Sequence, residues 1–343
     1  MRKLLNTLYV ITPESYLSLE GETVTIRRDE NTVARLPLHN LEAIVTLGYT
    51  GASPALMGAC AQRNINLTFL TTSGRFSARV VGKSCGNVLL RREQYRVCDN
   101  EERSCTLAKC FLAGKIYNAR WILERAARDH GLRLDVERLK SVSAALSEKL
   151  KSLRGCADLE QLRGIEGNAA SLYFGELDNL ILQQKDDFYF SDRNKRPPTD
   201  NVNAMLSFCY TLLAGDCASA LETVGLDAYA GFLHRDRPGR VSLALDLMEE
   251  FRGLFADRFV ITLINRREVS NSGFQRRENG AVMMDNDTRK ALLSAWQERK
   301  RETIVHPFLK EKVEWGLVPY VQAMLLARHL RGDMDGYPPF LWK

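Results

Sequence analysis

The apolar residues of this chain follow two different periods, and the change near residue 87 constrains its fold most. Before the change, short segments rich in β-branched, leucine and aromatic residues alternate with turn-forming runs such as Glu20-Gly21-Glu22, a pattern typical of β-strands. The predicted strands are residues 4–11, 16–19, 23–27, 32–36, 43–47, 67–70 and 76–80. One predicted helix, about residues 54–63, interrupts them.

After residue 87 the apolar positions recur every three or four residues, which predicts helices. The predicted helices are residues 88–97, 106–128, 136–153, 159–182, 202–213, the run after Pro238, 249–264, 287–302 and 318–330. A length of 343 residues also favours two domains over one. We therefore predict an α+β protein with an N-terminal β-rich domain, residues 1–88, and a larger all-α C-terminal domain, residues 89–343.

Composition excludes some classes of protein without selecting one. Hydrophobic residues make up 45% of the chain, too many for a disordered protein, and the net charge of +6 is compatible with nucleic acid without requiring it. The eight cysteines form no C-x-x-C pair, which favours reduced thiols in a cytoplasmic protein, with a structural zinc site as the alternative. The N-terminus lacks a signal-peptide pattern, and no apolar run approaches about 20 residues, so we expect no membrane segment.

The stretch of residues 231–252, GFLHRDRPGRVSLALDLMEEFR, concentrates groups that can ligate a metal ion. Its second half is an amphipathic helical run in which Asp246 and Glu249 are three residues apart, on the same side of the helix. His234 precedes it in an arginine-bearing loop. Each group also has an ordinary interpretation: His234 as a loop histidine, Asp246 as a first-turn residue stabilised by the helix dipole, and Glu249 as a surface acid.

Glu166 is the candidate for a third ligand. It lies beside the apolar stripe of a predicted helix and between Gly164 and Gly167, where a ligand or another backbone can come close. The alternative is a surface charge or a partner of Arg163. Spacing alone cannot bring Glu166 to Glu249. If they meet, two carboxylates and an imidazole suit a divalent ion, Mg²⁺ or Mn²⁺, with positions left open for water and phosphate oxygens.

Two predicted loops carry basic residues. Residues 190–201, FSDRNKRPPTDN, include Arg193, Lys195 and Arg196, and residues 234–240 include Arg240. Basic groups beside an acidic metal site are what a phosphate-containing substrate requires. The arginine and lysine clusters further along the chain are typical of solvated helix faces.

Four motifs, in order, resemble the CRISPR-associated endonuclease family called protein one, the integrase of spacer acquisition. They are GIEG at 164–167, NKRPPTDxxNAML at 194–206, GxxH at 231–234 and SLALDLMEEFR at 242–252. The resemblance covers essentially the whole chain and implies metal ligands at Glu166, His234 and Glu249. It also implies a supporting acid at Asp246 and a basic residue near substrate phosphates at Arg252.

The resemblance leaves two points open at the site. This chain has Glu rather than Asp at position 249, a longer arm that shifts a bound ion. The adjacent Glu250 is a second acid that could face the metal, although the spacing of three from Asp246 favours Glu249.

The resemblance also implies a function. A homodimer joins CRISPR-associated protein two, holds a DNA duplex with free 3′-OH ends, and catalyses attack of each end on a phosphodiester of the CRISPR repeat. The side chains expected to contact DNA are Arg193, Arg196, Arg240, Arg252, Tyr173 and Tyr210, with the two tyrosines equally interpretable as core residues. The competing hypotheses are a stand-alone metal-dependent nuclease or resolvase, and a non-catalytic nucleic-acid-binding scaffold.

Overall fold

The structure is a computed structural model that describes residues 6–29, 31–72, 74–82, 88–194 and 197–343. Its contacts form two compact units. The first comprises Met1–Cys85, Met284–Thr303 and Glu314–Leu317, and the second comprises Gly86–Met283, Ile304–Val313 and Val318–Lys343. The predicted domain boundary at residue 88 stays a prediction, since a compact unit is not by itself an independently folding domain.

Among its described residues, the first unit contains eight strands and two α-helices. The strands are β1 (Thr7–Val10), β2 (Tyr16–Glu20), β3 (Thr23–Arg28), β4 (Asn31–Pro37), β5 (Ala43–Leu47), β6 (Gly51–Ala52), β7 (Asn66–Leu70) and β8 (Phe76–Val80). The helices are α1 (Pro54–Gln62) and, from later in the chain, α9 (Asn286–Arg301).

The strands form two four-stranded sheets. One has the order β1-β5-β7-β8, with β1, β5 and β7 parallel and β8 antiparallel to β7. The other has the order β4-β3-β2-β6, an antiparallel meander with the short β6 parallel to β2. Their apolar side chains share one core that includes Leu17, Val24, Ile44, Leu56 and Leu67, each fully buried. The predicted β-rich N-terminal region with one helix is confirmed; β6 was not predicted, because two residues are too few to show a period.

The second unit is mostly helical. Its helices are α2 (Val88–Cys98), α3 (Glu101–Asp129), α4 (Val136–Ser152), α5 (Leu159–Phe174), α6 (Asn201–Thr223), α7 (Ser242–Glu249), α8 (Arg258–Asn265) and α10 (Val318–Leu330). Four of them begin at an Asn or Asp that accepts a hydrogen bond from a backbone N–H of the first turn, the usual N-cap geometry. These caps are Asn100, Asp135, Asp158 and Asp200.

The helices differ from the predicted ones at four places, the first being α3, which begins at Glu101 rather than 106. Helix α5 ends at Phe174 rather than 182, and α6 runs on to Thr223 because the small residues after Leu213 do not break it. The segment predicted as a helix from 249 to 264 is instead a π-helical turn, Arg252–Asp257, followed by α8. Such wide turns are rare and are found mostly at functional sites.

Two short β-hairpins lie in the C-terminal region. They pair β9 (Phe274–Arg276) with β10 (Val282–Met284), and β11 (Thr303–Val305) with β12 (Lys312–Glu314). We did not predict them, because strands of three residues are too short to show a period. The α+β class, with a β-rich N-terminal part and a mostly helical C-terminal part, is confirmed.

Helix α6 is long and apolar enough to cross a membrane by length and composition alone, which the sequence analysis overlooked. Its most apolar window is 61% buried inside the protein, as in the core helix of a soluble fold. The cysteines that the structure describes carry free thiols, five of them buried. Residues 4 and 5 of the first predicted strand, Cys85, Lys195 and Arg196 lie outside the described residues.

Candidate active site

The buried carboxylate of Asp246, on α7, fixes the loop that carries His234. It accepts hydrogen bonds from the backbone N–H groups of Phe232 at 2.6 Å, Leu233 at 3.0 Å and His234 at 3.1 Å. Its Oδ1 also lies 2.5 Å from Nδ1 of the His234 ring. Because a carboxylate oxygen accepts, Nδ1 is the donor in this contact, and the corresponding tautomer leaves Nε2 available as a ligand atom.

Gly231 makes this arrangement possible. A Cβ at this position would lie 2.7 Å from Cβ of Ser242, 2.8 Å from its carbonyl carbon and 2.9 Å from Oδ2 of Asp246. The loop therefore reaches the start of α7 only because residue 231 has no side chain. Packing thus requires the glycine of the G-x-x-H motif, while the role of its histidine as a ligand stays a prediction.

We expect Asp246→Asn to lower the rate of the metal-dependent reaction expected at this site about 10- to 100-fold, the usual cost of losing a group that orients a ligand. The amide keeps the size of the carboxylate but removes the charge that holds His234 in one tautomer. Rates would be measured beside Asp216→Asn on α6, and thermal unfolding would show that both variants fold. Wild-type rates for Asp246→Asn would contradict the role assigned to Asp246.

Three ionised groups from three helices meet beside His234. The ammonium of Lys115, on α3, lies between the carboxylates of Glu166, on α5, and Glu249, at the end of α7. Its Nζ is 2.9 Å from Oε2 of Glu249 and hydrogen-bonds Oε1 of Glu166. Nε2 of His234 is 4.0 Å from Oε1 of Glu249. The structure therefore brings together the groups that spacing could not, while their roles as metal ligands stay predictions.

The two adjacent glutamates have opposite surroundings, which settles which one faces this cluster. Burial alone would raise the pKa of Glu249, but the neighbouring charges, first Arg252 and then Lys115, outweigh it and lower the pKa to about 2. Burial raises the pKa of Glu250 to about 8, although neighbouring hydrogen-bond donors favour its ionised form. Of these two glutamates, Glu249 is thus the one that carries a charge at neutral pH and faces the cluster.

Glu250 points away from the site and fastens the C-terminal tail. Its carboxyl accepts hydrogen bonds from the Tyr337 hydroxyl at 2.5 Å, the Phe340 backbone N–H at 2.7 Å and the Gln322 amide at 3.0 Å. On α3, Gly114 leaves room for it, since a Cβ there would lie 2.8 Å from Cγ of Glu250. The tail therefore packs against α3 and the end of α7.

The wide turn after α7 adds a second cation. Arg252 contacts Oε1 of Glu249 at 2.7 Å and lies 5.1 Å above the ring of Tyr210. Tyr210 donates a hydrogen bond of 2.6 Å to Asp257, whose pKa burial raises to about 6. Arg252 thus couples the site carboxylate to a buried polar network.

The other residues expected at DNA have varied surroundings. The guanidinium of Arg193 lies 5.0 Å from the centre of the Tyr210 ring and donates a hydrogen bond of 2.7 Å to Oδ1 of Asn203. Arg240 is half-buried. Its burial and the nearby charge of Arg237 lower the pKa of Arg240. Tyr173 is 5% exposed, as its interpretation as a core residue requires. Their roles at DNA, and that of Arg196 outside the described residues, stay predictions.

The sequence analysis missed one residue of the site and misjudged the partner of another. Lys115 is the cation that pairs with Glu166, in place of the suggested Arg163, which pairs with Glu160 and donates to the Leu233 carbonyl at 3.0 Å. Lys115 stands within the apolar run FLAGKIYNA, and a lysine so placed needs a buried anion. That signal was available, although it does not name the partner.

The donor set fits a divalent ion. Two carboxylates and an imidazole with a fixed free nitrogen suit Mg²⁺ or Mn²⁺. Oε2 of Glu249 is buried, and the Lys115 ammonium contacts it at 2.9 Å, so a cation already lies against this oxygen. Within the described ranges no three His, Cys, Asp or Glu side chains are grouped so that they could hold a metal ion, and the Lys115 ammonium lies between the two glutamates.

Known proteins with similar sequences share one description. The family model described as CRISPR associated protein Cas1 matches residues 8–298. A relative from Chlorobaculum tepidum named CRISPR-associated endonuclease Cas1 1 is 51% identical over 343 residues, all of both chains. One from Rhodospirillum rubrum, CRISPR-associated endonuclease Cas1 2, is 50% identical over 347 residues, again covering both chains completely.

Solved structures agree on the fold. A casposase bound to integration product gives a TM-score of 0.84 at 21% identity, covering 98% of this chain and 93% of that one. A CAS1 protein from Thermotoga maritima gives 0.81 at 21% identity, with coverages of 95% and 97%. With the motifs in place, the fold matched and the sequence similar from end to end, this chain belongs to the Cas1 family of CRISPR-associated proteins.

Proposed function

We propose that this Cas1-family chain is the DNA integrase of CRISPR adaptation, which joins the 3′-OH ends of a short duplex to phosphodiesters of the CRISPR repeat. The observation that carries the proposal is the cluster of Glu166, Glu249 and His234, with the His234 ring fixed by Asp246. The casposase of matching fold, whose structure holds an integration product, supports joining as the reaction.

Glu166, His234 and Glu249 would hold the divalent ion. Bound Mg²⁺ or Mn²⁺ supplies charge stabilisation at the phosphate and lowers the pKa of an attacking hydroxyl. Asp246 keeps His234 in the tautomer with a free Nε2. Arg252 holds Oε1 of Glu249 in place, and its guanidinium, with those of Arg193 and Arg240, offers donors for DNA phosphates.

We infer a homodimer that works with CRISPR-associated protein two on DNA in the cytoplasm. A chain of the same fold in a solved Cas6-RT-Cas1--Cas2 complex gives a TM-score of 0.81 over 98% of this chain and supports such an assembly. Recognition through backbone phosphates makes binding fall steeply with salt concentration.

DNA cutting without joining is the second candidate function. The sequence relatives are named endonucleases, and water can replace the 3′-hydroxyl as the attacking group at the same site. Joining of labelled ends separates the two functions.

A strand-transfer assay tests the proposal. A labelled duplex with 3′-OH ends would be mixed with a supercoiled plasmid carrying a CRISPR repeat, the partner protein, and Mn²⁺ or Mg²⁺. We expect label in the plasmid for the wild type and none after EDTA treatment. The joining rate should fall about 100-fold or more for Glu166→Ala and His234→Ala, because losing a metal ligand should cost at least as much as losing a group that orients one.

The matched control is His130→Ala, which removes an exposed histidine at the end of α3 and leaves joining at the wild-type rate. Metal-dependent cutting without joining, abolished by both site variants, would select the nuclease. Equal activity in the wild type and both site variants would show that the site is elsewhere.

A further inference from the structure

A lysine lies where the proposed metal ion belongs. Lys115 is 12% exposed, and its ammonium contacts Glu166 and Oε2 of Glu249, whose side chain is 4% exposed. Arg252 contacts the other oxygen of Glu249, Oε1, at 2.7 Å. Each oxygen of Glu249 thus contacts a different cation, and Lys115 also links Glu249 to Glu166.

We propose that Lys115 is a positioning residue that serves as an exchangeable internal cation: it holds the Glu166 and Glu249 carboxylates together when no metal is bound, and a divalent ion displaces it. This inference rests on the proposed metal-dependent function. It assigns to Lys115 a role toward the metal and no contact with the reacting atoms.

Electrostatics requires a cation at this place. Two carboxylates, one almost fully buried, are unstable side by side unless a positive charge lies between them. A divalent ion supplies that charge in a smaller volume, and it cannot share the position with an ammonium because like charges repel. Lysine suits an exchangeable role, since its charge sits on a flexible four-carbon stem, unlike the planar fork of an arginine.

The site opens to solvent at Glu166. The side chain of Glu166 is 31% exposed, against 12% for Lys115 and 4% for Glu249. A divalent ion would therefore reach the two carboxylates from the side of Glu166, and the flexible stem of Lys115 would let its ammonium move away from them.

Mn²⁺ binding to Lys115→Met tests the inference. Methionine keeps the length and apolar stem of lysine without its charge, so the ion no longer competes, and we expect half-saturation at a Mn²⁺ concentration about tenfold lower than for the wild type, equivalent to about 1.4 kcal/mol. Binding would be followed by the loss of the free Mn²⁺ signal in electron paramagnetic resonance. Lys140→Met, which removes an exposed lysine on α4, is the charge-matched control and should bind as the wild type does.

Stability gives a second readout from the same variant. In EDTA, Lys115→Met should unfold at a lower temperature than the wild type, because its carboxylates lack a cation, and added Mn²⁺ should raise that temperature more than in the wild type. Half-saturation of Lys115→Met at the wild-type concentration would overturn the inference.

The wild-type protein provides a test that does not depend on folding of a variant. Amine labelling followed by mass spectrometry should modify Lys115 slowly in EDTA and faster with Mn²⁺, while Lys140 reacts equally in both. Equal labelling of Lys115 in the two conditions would overturn the inference. Mn²⁺ binding that Glu166→Gln leaves unchanged would instead overturn the proposed metal site itself, and the inference with it.

Discussion

Replacing Glu249 by Gln is expected to abolish DNA joining and cutting, with rates at least about 100-fold below the wild type, whereas the same change at Glu250 should leave both close to wild type. The two residues are neighbours on one helix end and differ in nothing but what surrounds them. Glu249 faces Lys115, Arg252 and His234, and Glu250 faces the C-terminal tail.

The physical reason lies in the charge. Glu249 is ionised in the folded protein, because nearby cations lower its pKa to about 2 against the effect of burial. Glutamine has no charge to offer a divalent ion. Its single acceptor oxygen can face Arg252 or Lys115 but not both, so its NH2 group would meet one of the two cations. Losing a group that only orients a metal ligand already costs about 10- to 100-fold, and a ligand should cost at least that.

The assay would compare joining rates, cutting rates and Mn²⁺ binding for the two glutamine variants under one set of conditions. Thermal unfolding of each variant shows whether a loss of activity is a loss of fold. Equal losses for Glu249→Gln and Glu250→Gln would mean that the helix end matters as a whole. A loss confined to Glu250→Gln would show that the wrong acid has been assigned to the site.

The pH dependence of stability is expected to depend on Glu250. In the unfolded chain its pKa is about 4.5, and in the folded protein burial raises it to about 8. Between these values the folded state binds the extra proton. The stabilisation is therefore complete below about pH 4.5 and is lost as the pH rises toward 8, with a slope of at most about 1.4 kcal/mol per pH unit.

Two other buried groups act below this window. Burial raises the pKa of Asp257 to about 6, so its stabilisation is lost as the pH rises to that value. Burial lowers the pKa of His306. Nδ1 of its ring accepts backbone N–H groups of its own loop, and Nε2 faces Gln322. The stabilisation from the neutral ring is therefore lost as the pH falls below about 6.5, the ordinary pKa of histidine. From about pH 6.5 to 8, Glu250 is the member of this set that titrates.

Urea unfolding at pH 6.5 and pH 8 would measure the effect. The side chain of Glu250→Gln is neutral at both pH values, so the free energy of unfolding of the variant should change less over this range than that of the wild type. On going from pH 6.5 to pH 8, the stability of the variant should therefore rise relative to that of the wild type. Lys140→Met, with its native Glu250, should follow the wild type. Parallel pH profiles for wild type and Glu250→Gln would show that Glu250 is ionised throughout.

Local sequence patterns determined much of the fold. Strands β5, β7 and β8 and helices such as α10, residues 318–330, match their predicted limits closely, because burial of one face imposes a period that neighbouring residues display. Errors fell where a local pattern is too short or too weak. The three-residue strands show no period, and the wide turn at Arg252–Asp257 keeps an apolar spacing close to that of a helix.

The sequence by itself also placed His234, Asp246 and Glu249 in one stretch and, through the family motifs, added Glu166. Only the tertiary structure decided that Lys115 stands between Glu166 and Glu249, and that Glu249 rather than Glu250 faces the site. The physical reason is that period and propensity fix which face of a helix is buried but not which helix covers it. Lys115 and Glu166 are 51 residues apart, and packing of α3, α5 and α7 brings their charges together.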